Sequence, residues 1–338
     1  MSSEKSSPIK KIALIAAPIL VVALVVILIL LPSGQDDGTP VDPTNGDTGS
    51  YGSDVLSGSE DSDDGLDSAV DSETGSTETE NFPSSEDTNN TIDDANGLSW
   101  IRNGDTITIT DYPTAGTVLE IPAVIDGSPV TAIGDRAFYD SRTLTSVTIP
   151  DSVTSIGEYA FENCYALTSV TLPDSVTSIG TYAFRNCIAL ASVTLPKGIT
   201  KISENLFDGC NALASITIPD GVTSIGKYAF WKCKALTSVT IPQSVKTIEE
   251  YAFLTCSALT SVVIPEGVTD IGGMAFGECS SLTSVTLPGS IASIGQRAFS
   301  LCDIADVWYS GSEADRAKIL FGENHGLDRN SVTWHYGS

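Results

Sequence analysis

The chain has 338 residues, a formal net charge of -26 and only 7% aromatic residues. So acidic a protein is repelled by nucleic acids and by anionic lipid surfaces, both polyanions, which excludes those partner classes. The charge is unevenly spread, and composition divides the chain into an apolar run at 12–31, an acidic polar stretch at 32–97 and a repetitive part from Leu98 onward.

The run 12–31 is twenty residues without a charge. At 1.5 Å per residue, a helix of that length matches a hydrocarbon core about 30 Å thick, so the run is predicted to be a transmembrane signal-anchor in the lipid bilayer. Lys5, Lys10 and Lys11 precede it, and Asp36, Asp37 and Asp42 come after it. Positive-inside bias then places residues 1–11 in the cytoplasm and the repeats outside the cell, as a single-pass cell-membrane protein. A cleaved signal peptide is the alternative. Its apolar region is normally about 7–15 residues ending at a small-x-small site, whereas this run ends Leu-Leu-Pro-Ser-Gly.

Residues 32–97 carry 18 Asp or Glu and no Lys or Arg. With few large apolar side chains, the stretch cannot offset its ordering entropy and is predicted to be a disordered linker. As a random coil its 66 residues span roughly 45 Å, enough to lift the repetitive part off a membrane. Asp61-Ser-Asp-Asp-Gly-Leu-Asp67 superficially resembles a calcium loop, but the ligand spacing fails.

Self-similarity decides the fold. Phe recurs at 138, 161, 184, 207, 230, 253, 276 and 299, always 23 residues apart, and Pro150, Pro173, Pro196, Pro219, Pro242, Pro265 and Pro288 keep the same period. So do all seven cysteines, from Cys164 to Cys302. A period of 20–29 residues with a Leu-x-x-Val-x-Leu core marks a leucine-rich-repeat solenoid, each coil burying its apolar side against the next. In the repeat that starts at Leu167, the inward set is predicted to be Leu167, Val170, Leu172, Val176, Ile179, Ala183, Phe184 and Cys187. Their spacing fits a polygon: a short strand at 168–172, a corner at Pro173, an extended piece near 176–179 and a helical turn at 181–187. Gly157, Gly180, Gly226, Gly272 and Gly295 share a second corner, where a left-handed backbone is expected.

The Ile-Gly-x-x-Ala-Phe-x-x-Cys pattern, over about 118–308, closely resembles the BspA-like leucine-rich-repeat family of microbial surface and secreted proteins. The resemblance implies a right-handed coil of short strands and helical turns, and a link to adhesion and host or matrix binding. The sequence departs from the pattern at Ile202-Ser-Glu-Asn-Leu-Phe207 and at Ser141, which replaces the first Cys. Eight repeats are predicted over 123–306, the first and last atypical. A β cap at 98–122 precedes them, with an inserted loop at Ile125-Asp-Gly-Ser-Pro129. A second cap at 307–338 closes the chain, with a helix from Ser312 to Phe321 and a closing strand at 331–336.

Nearly every motif is repeated, whereas catalytic groups are unique in position, and no HExxH, P-loop or nucleophile elbow occurs. No enzyme activity, cofactor or metal is expected. The cysteines lack the close pairs a zinc site needs and are predicted to be buried small apolar groups, with inter-coil disulfides as the alternative. Outward Ser and Thr columns such as Ser169 and Thr171 form a hydroxyl lattice that suits an exposed sheet, or an ordered-water surface such as ice. The better ligand candidates are Tyr159, Tyr182, Tyr228 and Tyr251, one column of rings, with Tyr165 and Trp231 nearby. Such rows stack on sugars or anchor peptides, and the plainer role is to cover the seam between coils. The expected function is therefore a cell-surface adhesin or receptor for an extracellular protein or glycan. The alternative is an envelope or stalk protein acting by self-association.

Overall fold

Two strand ladders built from the repeat carry the architecture. The first stacks Val118–Glu120, Ser146–Thr148, Ser169–Thr171, Ser192–Val193, Ser215–Thr217, Ser238–Thr240, Ser261–Val263, Ser284–Leu287, Asp306–Tyr309 and Thr333–Tyr336. The second begins at Thr106–Asp111 and Ser128–Ile133 and continues through two-residue strands such as Ser155–Ile156, Ser178–Ile179 and Ser224–Ile225 to Leu320–Phe321. Where strands of neighbouring repeats pair they are parallel and in register, Ser178 opposite Ser155 and Ile179 opposite Ile156. The pairing breaks after Ser192–Val193 and Ser238–Thr240 in the first ladder and after Ser178–Ile179 in the second. Each repeat is one coil of a β-solenoid of about ten turns. The computed structural model describes residues 91–93, 97–112 and 116–337, all within the unit Asn81–Ser338. The expected anchor at 12–31 and the linker as far as residue 90 lie outside the described residues. Among the described residues no helix is long and apolar enough to cross a membrane.

The predicted inward set is buried. Leu167, Val176, Ala183, Phe184 and Cys187 are 0% exposed, and the same columns recur buried along the stack, Ser141 in the first coil being only partly buried. From Pro150 to Pro288 a proline follows the first-ladder strand at one corner and its carbonyl accepts from the residue three on, as Pro173 O does from Val176 N at 3.1 Å. The phenylalanines form a continuous inner stack with ring centroids 4.8–5.7 Å apart.

The third side of each coil differs from expectation: it is a run of turns and contains no helix. Tyr182 (φ 59°) and Asn186 (φ 58°) take left-handed backbone, and the equivalent residues of other coils do the same. That geometry turns alternate N–H groups toward the next coil. Tyr182 N donates to Glu204 O at 3.1 Å, Phe184 N to Leu206 O at 3.1 Å and Asn186 N to Asp208 O at 2.7 Å. A helical turn would direct those donors into its own segment and lose the bonds between coils. The second-corner glycines answer a different demand than expected. Gly180 is not left-handed, but a Cβ there would lie 2.6 Å from Gly157 C and from Glu158 N of the preceding coil. The left-handed position falls two residues later, on the tyrosine column. Ser203 substitutes for glycine in one coil, and its hydroxyl donates to Ile179 O at 2.5 Å, an acceptor that glycine N–H groups reach in neighbouring coils.

The ends close the ladders. Thr106–Asp111 pairs antiparallel with Leu98–Asn103 and parallel with Ser128–Ile133. Thr91–Asp93, inside the stretch expected to be disordered, pairs antiparallel with Leu98–Trp100. The inserted loop is a tight hairpin, Val124–Ile125 against Ser128–Ile133, turning on Asp126 (φ 46°) and Gly127 (φ 75°), as a two-residue hairpin requires. At the other end the helix is shorter than expected. It spans Glu313–Arg316, capped by Ser312 in a capping box, and the chain then returns to the ladder at Leu320–Phe321.

Candidate functional site

Each ring of the tyrosine column sits one residue before the buried Ala-Phe pair, on a left-handed residue that projects it from a corner of the coil. Tyr159 (φ 56°), Tyr182 (φ 59°), Tyr228 (φ 57°) and Tyr251 (φ 61°) are all half-buried. They do not form one row. Tyr159 stacks on Tyr182 with centroids 4.8 Å apart, and Tyr228 on Tyr251 at 4.7 Å. Asn205, buried at the same position, separates the two pairs.

Cations line both pairs. Arg136 stands 5.1 Å from the Tyr159 ring and Arg185 5.6 Å from Tyr182, while Lys227 Nζ lies 5.5 Å from both Tyr228 and Tyr251. Lys227 is held by Glu250 at 2.9 Å. Trp231 joins the second pair, 5.3 Å from Tyr228, with Lys232 Nζ 3.9 Å from its ring. Tyr165 stands apart from the column, with Arg142 at 5.5 Å. Partial burial pushes the Tyr182 and Tyr228 phenols above their ordinary range, so both stay neutral at physiological pH. The corner therefore offers neutral aromatic surface bordered by ammonium, guanidinium and carboxylate groups, suited to stacking and hydrogen bonding.

The repeats over 131–258 and 200–315 match the family model described as BspA type leucine rich repeat region, in 6 copies. The chain belongs to the BspA-type leucine-rich-repeat family. Its structure is similar to that of a leucine rich cell surface protein from Faecalibacterium prausnitzii A2-165, at 32% identity and a TM-score of 0.54, over 71% of this chain and 74% of that one. It is also similar to a leucine-rich repeat protein from Bacteroides ovatus ATCC 8483, at 27% identity and a TM-score of 0.56, over 71% and 70% of the two chains. Among curated proteins no match is found.

In this BspA-type chain the cysteines are interior and free. Each thiol donates to the carbonyl of the Phe in the preceding coil, as Cys187 Sγ does to Phe161 O at 3.2 Å and Cys210 Sγ to Phe184 O at 3.1 Å. The column thus combines small apolar volume with a weak donor for a buried acceptor. Burial pushes the Cys164 thiol up to about 12, far from the reactive thiolate range. A thiol reagent is expected to find little accessible sulfur in the native protein and all seven groups after denaturation without reductant. Disulfides found after denaturation would refute the arrangement.

The hydroxyl face lies on the first ladder, where Thr171, Thr194, Thr217 and Thr240 are exposed. Val263, 61% exposed, and Trp308, 50% exposed, interrupt its column. Beside Tyr182 lies a three-coil ion cluster that the repeat pattern alone did not point to. Arg185 bridges Glu162 at 3.1 Å and Asp208 at 3.0 Å, and both carboxylates are almost wholly buried. Its signal was present: three charges of alternating sign at the repeat spacing, each directly after a core Phe.

Proposed function

We propose that this protein works at the cell surface as a binding protein, and that its tyrosine corner takes an extracellular glycan or protein. The carrying observation is the choice of residue at a strained position. Left-handed backbone costs an ordinary residue about 1–2 kcal/mol, and Asn is among the few types that adopt it readily. Asn205 shows that the corner closes with a short polar side chain. Four other coils carry tyrosine there and leave its ring partly exposed in stacked pairs. Aromatic rings give large contact area at low entropy cost, which is why they dominate binding surfaces. Surface placement is supported by the apolar, lysine-preceded run at 12–31 and by the similar cell surface protein of F. prausnitzii.

The test is a variant of the intact chain with Tyr182, Tyr228 and Tyr251 each replaced by Asn, compared with wild type on glycan and matrix-protein arrays. Wild type is expected to give a saturable hit that the variant weakens more than about tenfold, the loss of roughly 1.4 kcal/mol of binding energy. The unfolding temperature is expected to stay within a few degrees. A collapse of that temperature would make the rings seam covers. Silence on both arrays, with concentration-dependent association in sedimentation, would assign the protein to envelope structure instead.

A further inference from the structure

The column just before the tyrosines normally carries a side chain: Thr181, Glu204, Lys227, Glu250 and Gln296 all occupy it, but Gly273 does not. Its neighbour Gly272 is demanded by the backbone, since a Cβ there would lie 2.4 Å from Glu250 N. Gly273 is not. It avoids left-handed backbone, and an added Cβ would meet nothing closer than Gln296 O at 3.4 Å, an ordinary contact. The missing side chain instead leaves space. Two depressions of about 440 and 320 Å³ meet here and share Glu250 and Gly295 in their walls. Both fall in the range of small-molecule sites, roughly 300–1000 Å³.

The walls are chemically mixed. Tyr251 contributes an aromatic side chain to the lining of the smaller depression, together with Gln296 and Arg297. Asp270 enters from the larger one, fixed by Ser293 at 2.5 Å and Thr269 at 2.6 Å, and Glu250 stands between them on its bond to Lys227. A pyranose presents an apolar C–H face and a ring of hydroxyls. It needs an aromatic wall, acceptors that take its O–H groups and donors that reach its oxygens. Tyr251, the two carboxylates, and Gln296 with Arg297 supply these in turn. Glu250 and Asp270 are matched in charge by Lys227 and Arg297 in the same walls, which suits a neutral sugar.

We propose that the notch at Gly273 binds a neutral hexose unit of an extracellular glycan. The inference rests on the surface-binding function proposed for the tyrosine corner and names its ligand class. Gly273→Gln puts into the notch the side chain that the next coil carries at Gln296, so folding is expected to survive. Saturation-transfer NMR titrations of the intact chain with glucose, galactose and mannose form the test. At least one hexose is expected to saturate wild type, and G273Q to weaken it tenfold or more with an unchanged unfolding temperature. Gln296→Ala, which keeps the glycine, is expected to weaken it as well, and Thr181→Gln, the same side chain in a distant coil, to leave it unaltered. Equal hexose binding by wild type, G273Q and Q296A would overturn the proposal. So would absence of hexose binding by wild type alongside a protein hit on the arrays, an outcome that leaves the surface-binding function standing. Array silence with self-association would remove both.

Discussion

Arg185→Met is expected to destabilise the folded chain by about 3 kcal/mol at neutral pH, measured by urea unfolding. Removing one partner of a buried ion pair typically costs about 3–5 kcal/mol, because the other charge is left without compensation. The lower end applies because the Arg185 side chain is itself 38% exposed, although Glu162 and Asp208 keep only 7% and 4% side-chain exposure. The defect should depend on pH in a definite direction. Burial raises both carboxyls above their ordinary range, and attraction to Arg185 opposes the rise. An acid whose folded-state pKa is raised stabilises the fold fully below its unfolded pKa and loses that contribution as pH rises through the folded value. Without Arg185 the upward shift is larger. The variant should therefore regain stability as pH falls from 7 toward about 4, more than wild type does. A loss that is constant over that window would mean that packing of the arginine stem, and not its charge, holds the three coils together.

Phe230→Ala is the second large effect, a loss of about 3–5 kcal/mol, as for other fully buried Phe truncations. Phe230 is 0% exposed, with Phe207 at 5.6 Å on one side and Phe253 at 5.0 Å on the other. A cavity there has no flexible wall to fill it, since each neighbouring ring is held in its own coil. In a linear array, coils are stabilised by their neighbours, so the damage should spread along the stack before it reaches the ends. Hydrogen exchange is expected to show lost protection at the N–H groups of Phe207 and Phe253 before that of Phe138 or Phe299. A loss under about 1 kcal/mol with local effects alone would mean that the coils tolerate the cavity independently.

The inward columns, the proline corner and the period were legible in sequence because each coil repeats one set of contacts, and 23-residue spacing survives any error about local shape. The third side was not legible. Left-handed backbone at Tyr182 and Asn186 leaves no composition signal when tyrosine, lysine, threonine and methionine occupy such positions alongside asparagine. For the same reason, the glycine column pointed to the wrong conformation. Its glycines answer a close approach between coils, which depends on neighbours far away in sequence. At the candidate site, the tyrosines could be found from their spacing. Their division into pairs came from one departure, Asn205, and the notch from another, Gly273, both visible only as breaks in the pattern.

The most direct test is hydrogen–deuterium exchange on the intact chain, with and without a saturating amount of the array hit. Added protection is expected at the coil corners around Tyr159, Tyr182, Tyr228 and Tyr251. Protection confined to the first-ladder strands, such as Ser169–Thr171 and Ser238–Thr240, would place the ligand on the hydroxyl face and contradict a binding site at the tyrosine corner.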